Sequence, residues 1–432
     1  MNQNIDLLMQ ERLEPVSRIS IGFIIFALLA NAFLPVFALT LLSGIYIMYF
    51  LFANRFVVPR DLAKYLPIPL LLLLIGIAGS AGHDIYDVLK DVWYFFNPVI
   101  TLCAGYLAMN RIKRIEPVLK AFVVGGTLLS LLHLVLVLSD ISFLVSASVD
   151  ELHHKNVTGF LLSAISLSLV LIAKKGGIEL FQNRYKKAFI NLIILVNAAA
   201  VFLSFVRTFW LSFIILFLFG TGLFLRKKLR WLLILGGIIA AFQVFILIAP
   251  KDQLNSATML GKIVNSFDEV VITDYYAKAD IQRHWRGYES YMAIQTYLSG
   301  SVLNLIFGHG FGKLVDLKIT MLLGSEKMQY IPILHNGYMY LLVKTGLAGL
   351  MLYILYLAKF ASVGLYYAKR ADNYRILSGN MIVALSAVLI VNTFGAAGMF
   401  NKSMFFPLML LLGCLLSYAR IRIVELDEGG II

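Results

Sequence analysis

The segment DIQRHWRGYES, residues 280–290, lies in the one long run of the chain that cannot be placed in a lipid bilayer. This run extends from residue 249 to residue 336, and apolar segments of membrane-spanning length flank it on both sides. A helix needs about 20 consecutive apolar residues to cross the hydrocarbon core of a membrane. The sequence therefore predicts a polar functional region that helices on either side hold at a membrane surface.

The composition indicates a polytopic membrane protein. The chain has 432 residues, of which 60% are hydrophobic and 14% charged, and its mean hydropathy is +0.84. In hydrocarbon the backbone polar groups must pair internally, and long apolar runs without strict alternation favour helices over a closed barrel. We therefore predict an all-α membrane protein. The net charge of +13 fits basic cytoplasmic loops and gives no reason to predict a nucleic-acid partner.

Twelve candidate membrane spans can be placed along the chain. They lie at about 18–33, 35–53, 65–82, 91–109, 117–139, 157–173, 188–205, 208–225, 231–249, 336–359, 376–394 and 404–420. Residues 1–249 thus hold nine spans, residues 250–335 form one large loop, and residues 336–432 hold three spans and a tail. The first and second spans, and the seventh and eighth, are joined so tightly that one long broken helix would give the same pattern.

Lysine and arginine collect in alternate connections, which predicts the orientation of the spans. By the positive-inside rule these connections are cytoplasmic. Both termini are then expected inside a bacterial inner membrane, and the 250–335 loop in the periplasm. The basic residues of these connections are Arg55, Arg60, Lys64, Arg111, Lys113, Arg114, Lys120, Lys174, Lys175, Arg184, Lys186, Lys187, Arg226, Lys227, Lys228, Arg230, Lys369, Arg370, Arg375, Arg420 and Arg422.

The large loop contains an amphipathic pattern. Apolar residues at helical spacing predict a helix over about 280–299 that lies on the membrane or on the bundle. Arg283, Arg286 and Glu289 are spaced three apart on a neighbouring face, which allows Arg286 to pair with Glu289. A solvated charged face is the alternative interpretation.

Arg207 lies in SFVRTF, at the outer rim of the bundle between two apolar runs. A guanidinium there is costly unless an anion meets it. We considered two further explanations: snorkelling of the side chain to lipid headgroups, and an exterior acid such as Asp150 as its partner.

His335 opens the segment HNGYMYLLVKTGLAGL, where the chain re-enters the membrane. Imidazole is the side chain best able to accept a proton near neutral pH, so His335 is a candidate general base. Asn336 could orient the ring or bind a sugar hydroxyl. A helix cap or a packed residue remains the alternative for His335.

Two other patterns carry less. The glycine run GHGFG at 308–312 could cradle phosphate, but it lacks the residues of a nucleotide-binding loop, and a turn is the simpler interpretation. His153 and His154 lack the spacing and flanking ligands of a metal site. No carboxylate cluster suits Mg²⁺, so we predict neither a metal nor a cofactor.

The sequence resembles the bacterial O-antigen ligase and O-antigen polymerase superfamily of multispanning inner-membrane glycosyltransferases. The similar segments are SFVRT around Arg207, RGYESYMAI through NLIFGHGFG, HNGYMYLLVKTGLAGL from His335, and HKNVTG at 154–159. The resemblance implies a GT-C-like fold with about 12 transmembrane helices.

The resemblance also implies an activity. A glycan on undecaprenyl pyrophosphate is transferred with inversion and without metal to an acceptor hydroxyl. This implies Arg207 and Arg286 as pyrophosphate-binding residues and His335 as the base, with Arg283, Glu289 and Asn336 as possible supporting residues. A ligase would use lipid A–core as acceptor, whereas a polymerase would extend another lipid-linked repeat unit.

Two functions of other classes also fit a polytopic chain. A lipid or polysaccharide transporter would place ionisable groups near the bilayer midplane, where the spans hold only His133 and Lys344. A scaffold for other envelope enzymes would not require Arg207, Arg286 and His335 to converge.

Overall fold

The computed structural model describes residues 15–139, 157, 161–181, 186–223, 269, 271–274, 277–323, 326–369, 372–400 and 405–429. Within these ranges it contains fourteen α-helices and one two-stranded sheet. In chain order, the helices are α1 (Pro15–Ala30), α2 (Val36–Ala53), α3 (Pro67–Ala78), α4 (Ile85–Ile112), α5 (Ile115–Leu138), α6 (Leu162–Lys175), α7 (Lys186–Leu203), α8 (Arg207–Gly220), α9 (Lys278–Arg283), α10 (Trp285–Leu298), α11 (Val302–Phe307), α12 (Gly337–Tyr367), α13 (Asn373–Ala396) and α14 (Phe406–Gly429).

The helices bear out the prediction of a helical, multi-pass membrane protein. Each predicted span within the described ranges coincides with a helix, and the ninth, at 231–249, lies outside those ranges. Five of the described helices are long and apolar enough to cross a membrane, namely α2, α4, α5, α12 and α13. Five shorter helices are also apolar, namely α1, α3, α7, α8 and α14. The number of twelve spans stays a prediction.

The two tight junctions separate distinct helices. Pro35 has extended backbone (φ −64°, ψ 153°) and begins α2, so α1 and α2 are not continuous. Helix α7 ends at Leu203 and α8 begins at Arg207, and Phe205 between them has a positive φ of 52°. A non-glycine residue in this left-handed region breaks a helix. Arg207 is therefore the first residue of a new helix.

The bundle is built from tightly packed helix pairs. Helix α14 packs along α4, α12 along α13, and α8 between α13 and α6, while α5 and α7 both pack on α6. Cys414 and Gly105 illustrate the close approach of α14 and α4, because the Cys414 thiol contacts the Gly105 carbonyl at 3.3 Å. This packing holds the ends of α8, α12 and α13 in fixed positions.

The loop region contains a β-hairpin that the all-helical prediction missed. Strand β1 (Val315–Leu323) pairs antiparallel with β2 (Glu326–Ile331), with an irregularity between Asp316 and Met321. Alternation in a nine-residue strand is weak evidence beside so many apolar helices, so the sequence gave no clear signal. Helix α10 packs against β1 and α12, which places the hairpin beside the bundle.

The predicted amphipathic helix at 280–299 is two helices. The chain leaves helical geometry at His284 (φ −112°, ψ 34°), between α9 and α10. The apolar residues Ile281, Tyr288 and Met292 are buried. Of the two locations predicted for this face, the structure therefore supports packing against protein.

A buried ion pair fastens the loop to the bundle. Asp91 of α4 and Lys344 of α12 are fully buried and contact each other at 2.5 Å. The Asp91 carboxylate also accepts hydrogen bonds from the Tyr340 hydroxyl and the Gly312 backbone N–H, both at 2.7 Å. A carboxylate buried in this way is tolerated because each of its partners is a donor. The pair fixes the glycine run against α4 and α12.

The two ends of the bundle differ in their contacts. At one end, basic residues from the predicted cytoplasmic connections lie close together: Arg111 contacts Asn54, and Arg420 lies 3.4 Å from Asp61. At the other end, the connection after α13 meets the start of α12, where the Ala397 N–H donates to the His335 carbonyl. The candidate site residues gather at this second end.

Candidate active site

His335 occupies the junction between the hairpin and α12. The next residue, Asn336, caps the helix, since its side-chain oxygen accepts from the backbone N–H groups of Tyr338 and Met339 at 3.1 and 3.3 Å. The backbone carbonyl of His335 accepts the N–H of Ala397. These contacts fix the backbone of His335, while its side chain remains 52% exposed.

The Glu289 carboxylate holds His335 from the protein side. Its Oε2 accepts the backbone N–H of His335 at 2.9 Å and lies 3.1 Å from Nδ1 of the ring, and its Oε1 lies 3.3 Å from Nδ1. The Glu289 side chain is only 2% exposed. A carboxylate beside Nδ1 places the proton of the neutral imidazole on that nitrogen. The Nε2 atom then carries the free lone pair, as a general base requires.

This arrangement corrects the predicted pairing of Arg286 with Glu289. The two residues lie one turn apart on α10, but the carboxylate is committed to His335. The nearest carboxylate oxygen to Arg286 belongs instead to Glu269, at 4.0 Å from Nη1. Spacing along a helix allows a pair but cannot exclude a partner brought by tertiary packing.

Arg207 converges on the same carboxylate. Its Nη2 lies 3.0 Å from Oε2 and 3.3 Å from Oε1 of Glu269. The side chains are partly exposed, at 27% for Arg207, 21% for Glu269 and 33% for Arg286. Two guanidinium groups that come from helices far apart in sequence therefore meet at one anionic group.

The backbone beside Gly287 explains how Glu269 reaches both arginines. A Cβ atom at position 287 would lie 1.9 Å from the carbonyl oxygen of Val271, so only glycine lets the 271–274 segment lie on α10. Arg286 precedes this glycine, and Glu269 is two residues before Val271. The close approach places the carboxylate between α8 and α10.

Burial affects the Arg286 cation. The loss of hydration lowers the pKa of the Arg286 guanidinium, and the neighbouring Arg207 lowers it further, while Glu269 and Glu289 oppose this change. An arginine stays charged under these conditions. The consequence is a cation that is stabilised by an anion at this position, whether a carboxylate or a phosphate.

The other predicted supporting residues stand differently. Arg283 belongs to α9, on the far side of the break at His284, and is exposed, so it does not share a helix face with Arg286. Asn336 is buried and its side-chain oxygen serves the cap of α12. Asp150, His153 and His154 lie outside the described residues.

The glycine run at 308–312 uses its backbone amides within the protein. The N–H groups of His309 and Gly310 donate to the carbonyls of Val343 and Lys344, and that of Phe311 donates to Gly76. These bonds, with the Asp91 bond to Gly312 described above, leave no cluster of free amides for a phosphate. The run is a structural turn, the simpler of the two interpretations.

The residues that could hold a metal are dispersed. Within the described ranges, no group of three or more His, Cys, Asp or Glu side chains has the arrangement of a metal site. The polar groups that do cluster are two cations with one carboxylate, and one imidazole with another carboxylate. Such a set can bind an anion and accept a proton.

Sequence analysis missed the roles of Glu269 and of Asp91. Glu269 precedes VVIT, and an acid beside an apolar stretch near a membrane was the available signal. Lys344 was recognised as an unusual cation within an apolar span, which requires a buried anion nearby. That requirement could have directed attention to Asp91 at the start of the fourth span.

The fold and the site together define a class of protein: a polytopic helical membrane protein with an anion-binding and proton-accepting cluster at one end of its bundle. Residues 192–354 match the family model described as O-antigen ligase. This part of the chain, which carries Arg207, Glu269, Arg286, Glu289 and His335, belongs to the O-antigen ligase and O-antigen polymerase superfamily. The resemblance is thereby confirmed, and the match supports an activity of the O-antigen ligase or polymerase type. A comparison with curated proteins found no match.

Proposed function

We propose that the protein is a glycosyltransferase that moves a glycan from undecaprenyl pyrophosphate to an acceptor sugar hydroxyl, as an O-antigen ligase whose acceptor is lipid A–core. The reaction takes place at the periplasmic face of the bacterial inner membrane, with inversion and without a metal or cofactor. The observation that carries the proposal is the convergence of Arg207 and Arg286 on one anion while His335 rests on Glu289.

The two arginines bind the pyrophosphate of the donor. As the bond between the sugar C1 and the phosphate oxygen breaks, negative charge develops on the leaving group. Guanidinium groups present planar donors that match phosphate oxygens and neutralise this charge. In this protein they come from α8 and α10, so the packing of two elements preorganises the site.

His335 activates the acceptor. The hydroxyl oxygen attacks C1 from the side opposite the pyrophosphate, and its proton passes to Nε2 of His335. The Glu289 carboxylate holds the ring through Nδ1 and stabilises the imidazolium that forms. A single displacement of this kind inverts the configuration at C1, and lipid-linked pyrophosphate is the second product.

The alternative within the same family is an O-antigen or exopolysaccharide polymerase, which joins lipid-linked repeat units. The chemistry at His335 is identical, and only the acceptor differs. The test is a transfer assay with the purified full-length chain, undecaprenyl-pyrophosphate-linked glycan, and either lipid A–core or a second lipid-linked repeat. Extension of lipid A–core supports the ligase. Extension of the repeat alone would establish the polymerase instead, and extension of neither would contradict the proposal.

A lipid or polysaccharide transporter is the alternative from another class. Asp91 and Lys344 are buried in the bundle, but they contact each other and the loop, as a structural ion pair does. The remaining candidates lie at one end of the bundle, which favours chemistry at a surface. A scaffold is disfavoured by the convergence of the two arginines at Glu269.

The location of the site can be tested by topology. From the distribution of basic residues we expect reporter fusions at positions 180 and 228 to report cytoplasm and a fusion at 265 to report periplasm. A cytoplasmic signal at 265 would contradict a periplasmic site, because the 269–274 segment lies against α10.

A further inference from the structure

Glu269 occupies the position between Arg207 and Arg286 that an anionic ligand would take. Its Oε2 is 3.0 Å from Nη2 of Arg207 and 4.0 Å from Nη1 of Arg286. Both carboxylate oxygens lie within hydrogen-bond distance of the same Arg207 nitrogen. The carboxylate therefore makes the type of contact with the guanidinium groups that a phosphate oxygen makes.

The location of Glu269 is fixed by backbone packing as well as by charge. The Val271 carbonyl lies against the Cα of Gly287, where no Cβ would fit. This contact holds the chain two residues from Glu269 on the helix that carries Arg286. The carboxylate thus remains next to the arginines whether or not the ion pair is formed.

The ion pair is weak enough to be replaced. The three side chains are between 21% and 33% exposed, and partly exposed ion pairs contribute little because water competes with them. A pyrophosphate diester carries two negative charges and more acceptor oxygens than one carboxylate, so it forms the stronger interaction with two guanidinium groups.

We propose that Glu269 is an internal competitor for the pyrophosphate of the donor, an inference that rests on the proposed function. In the free protein its carboxylate neutralises Arg207 and Arg286. Donor binding replaces the carboxylate, and the re-formed ion pair assists release of the lipid pyrophosphate after transfer. The apparent affinity for the donor is lowered by the fraction of molecules in which the carboxylate occupies the site.

The test measures binding of inorganic pyrophosphate to the purified full-length chain by isothermal titration calorimetry. Glu269→Gln keeps the shape of the side chain and removes its charge. We expect it to bind pyrophosphate about two- to fivefold more tightly than the wild type, the range expected when a marginal ion pair is the competitor. Asp280→Asn, an exposed acid of the same loop, makes the same change in net charge and should leave the affinity unchanged.

The outcomes separate this inference from the proposed function. If Glu269 instead positions the arginines, Glu269→Gln will bind pyrophosphate equally or more weakly while Arg207→Ala still abolishes binding, and the inference is overturned. If Asp280→Asn gains as much affinity as Glu269→Gln, net charge is the cause and the inference is also overturned. If the wild type and Arg207→Ala bind pyrophosphate equally, the arginines do not bind pyrophosphate and the proposed function itself fails.

Discussion

The buried carboxylate of Glu289 contacts residue 335 twice, through the backbone N–H at 2.9 Å and through Nδ1 of the imidazole at 3.1 Å. The first contact places the residue and the second orients its ring. Since Glu289 is 2% exposed and His335 is 52% exposed, the carboxylate acts from inside the protein on a ring that faces the solvent side. Glu289 is therefore a positioning residue for the base.

The first prediction concerns Glu289→Gln. The amide can still accept the backbone N–H of His335, but it cannot stabilise a positively charged imidazolium. We expect kcat to fall by about 10² or more, with little change in the affinity for the donor. Steady-state kinetics of glycan transfer with separate measurement of donor binding provides the check. Unchanged kcat would show that the carboxylate has no role in catalysis.

The second prediction concerns the geometry of the two cations. Arg207→Lys and Arg286→Lys preserve the charge but lose the planar pair of donors. Both variants should transfer clearly less glycan than the wild type, and the alanine variants should transfer still less. Arg283→Lys is the matched control, because Arg283 is exposed on α9 and should tolerate the change. Full activity of the lysine variants at both site positions would favour snorkelling to lipid headgroups.

The third prediction concerns metal removal. If guanidinium groups neutralise the leaving group, activity should survive an excess of EDTA with at most a modest loss. The measurement is the transfer rate before and after chelation. Full inactivation by EDTA that Mg²⁺ or Mn²⁺ reverses would mean that a divalent ion, and not the arginine pair, supplies the essential charge.

The fourth prediction concerns the buried pair of Asp91 and Lys344. Lys344→Met leaves a buried carboxylate without its cation, which costs about 3–5 kcal/mol of stability. The double variant Asp91→Asn with Lys344→Met removes both charges and should recover much of this loss. Thermal unfolding in detergent measures both effects. Equal destabilisation of the single and double variants would mean that the charges do not depend on each other.

Much of the helical fold could be predicted because apolar runs of membrane-spanning length carry a strong local signal. The boundary at Arg207 could be placed because SFVRTF interrupts two such runs. The hairpin of β1 and β2 could not be predicted from its local pattern. Its position beside α10 depends on contacts with distant residues, such as the hydrogen bond from the Tyr288 hydroxyl to the Leu317 carbonyl.

The candidate site was predicted as a set of residues but not as a set of pairs. Arg207, Arg286 and His335 were selected because their chemistry is costly or unusual at a membrane boundary. Their partners were not, because Glu269 and Glu289 reach them through tertiary packing. Local spacing favoured Arg286 with Glu289, whereas the structure pairs Glu289 with His335 across 46 positions of the chain.

The central claim is that His335 is the general base, and the most direct measurement is the single-turnover rate of glycan transfer by His335→Gln with donor binding measured in parallel. Glutamine can form hydrogen bonds but cannot accept a proton at neutral pH, and proton transfer contributes a factor of about 10² to 10⁴. The account predicts that His335→Gln binds the lipid-linked donor as the wild type does and is as inactive as His335→Ala. Near wild-type turnover by His335→Gln would contradict it.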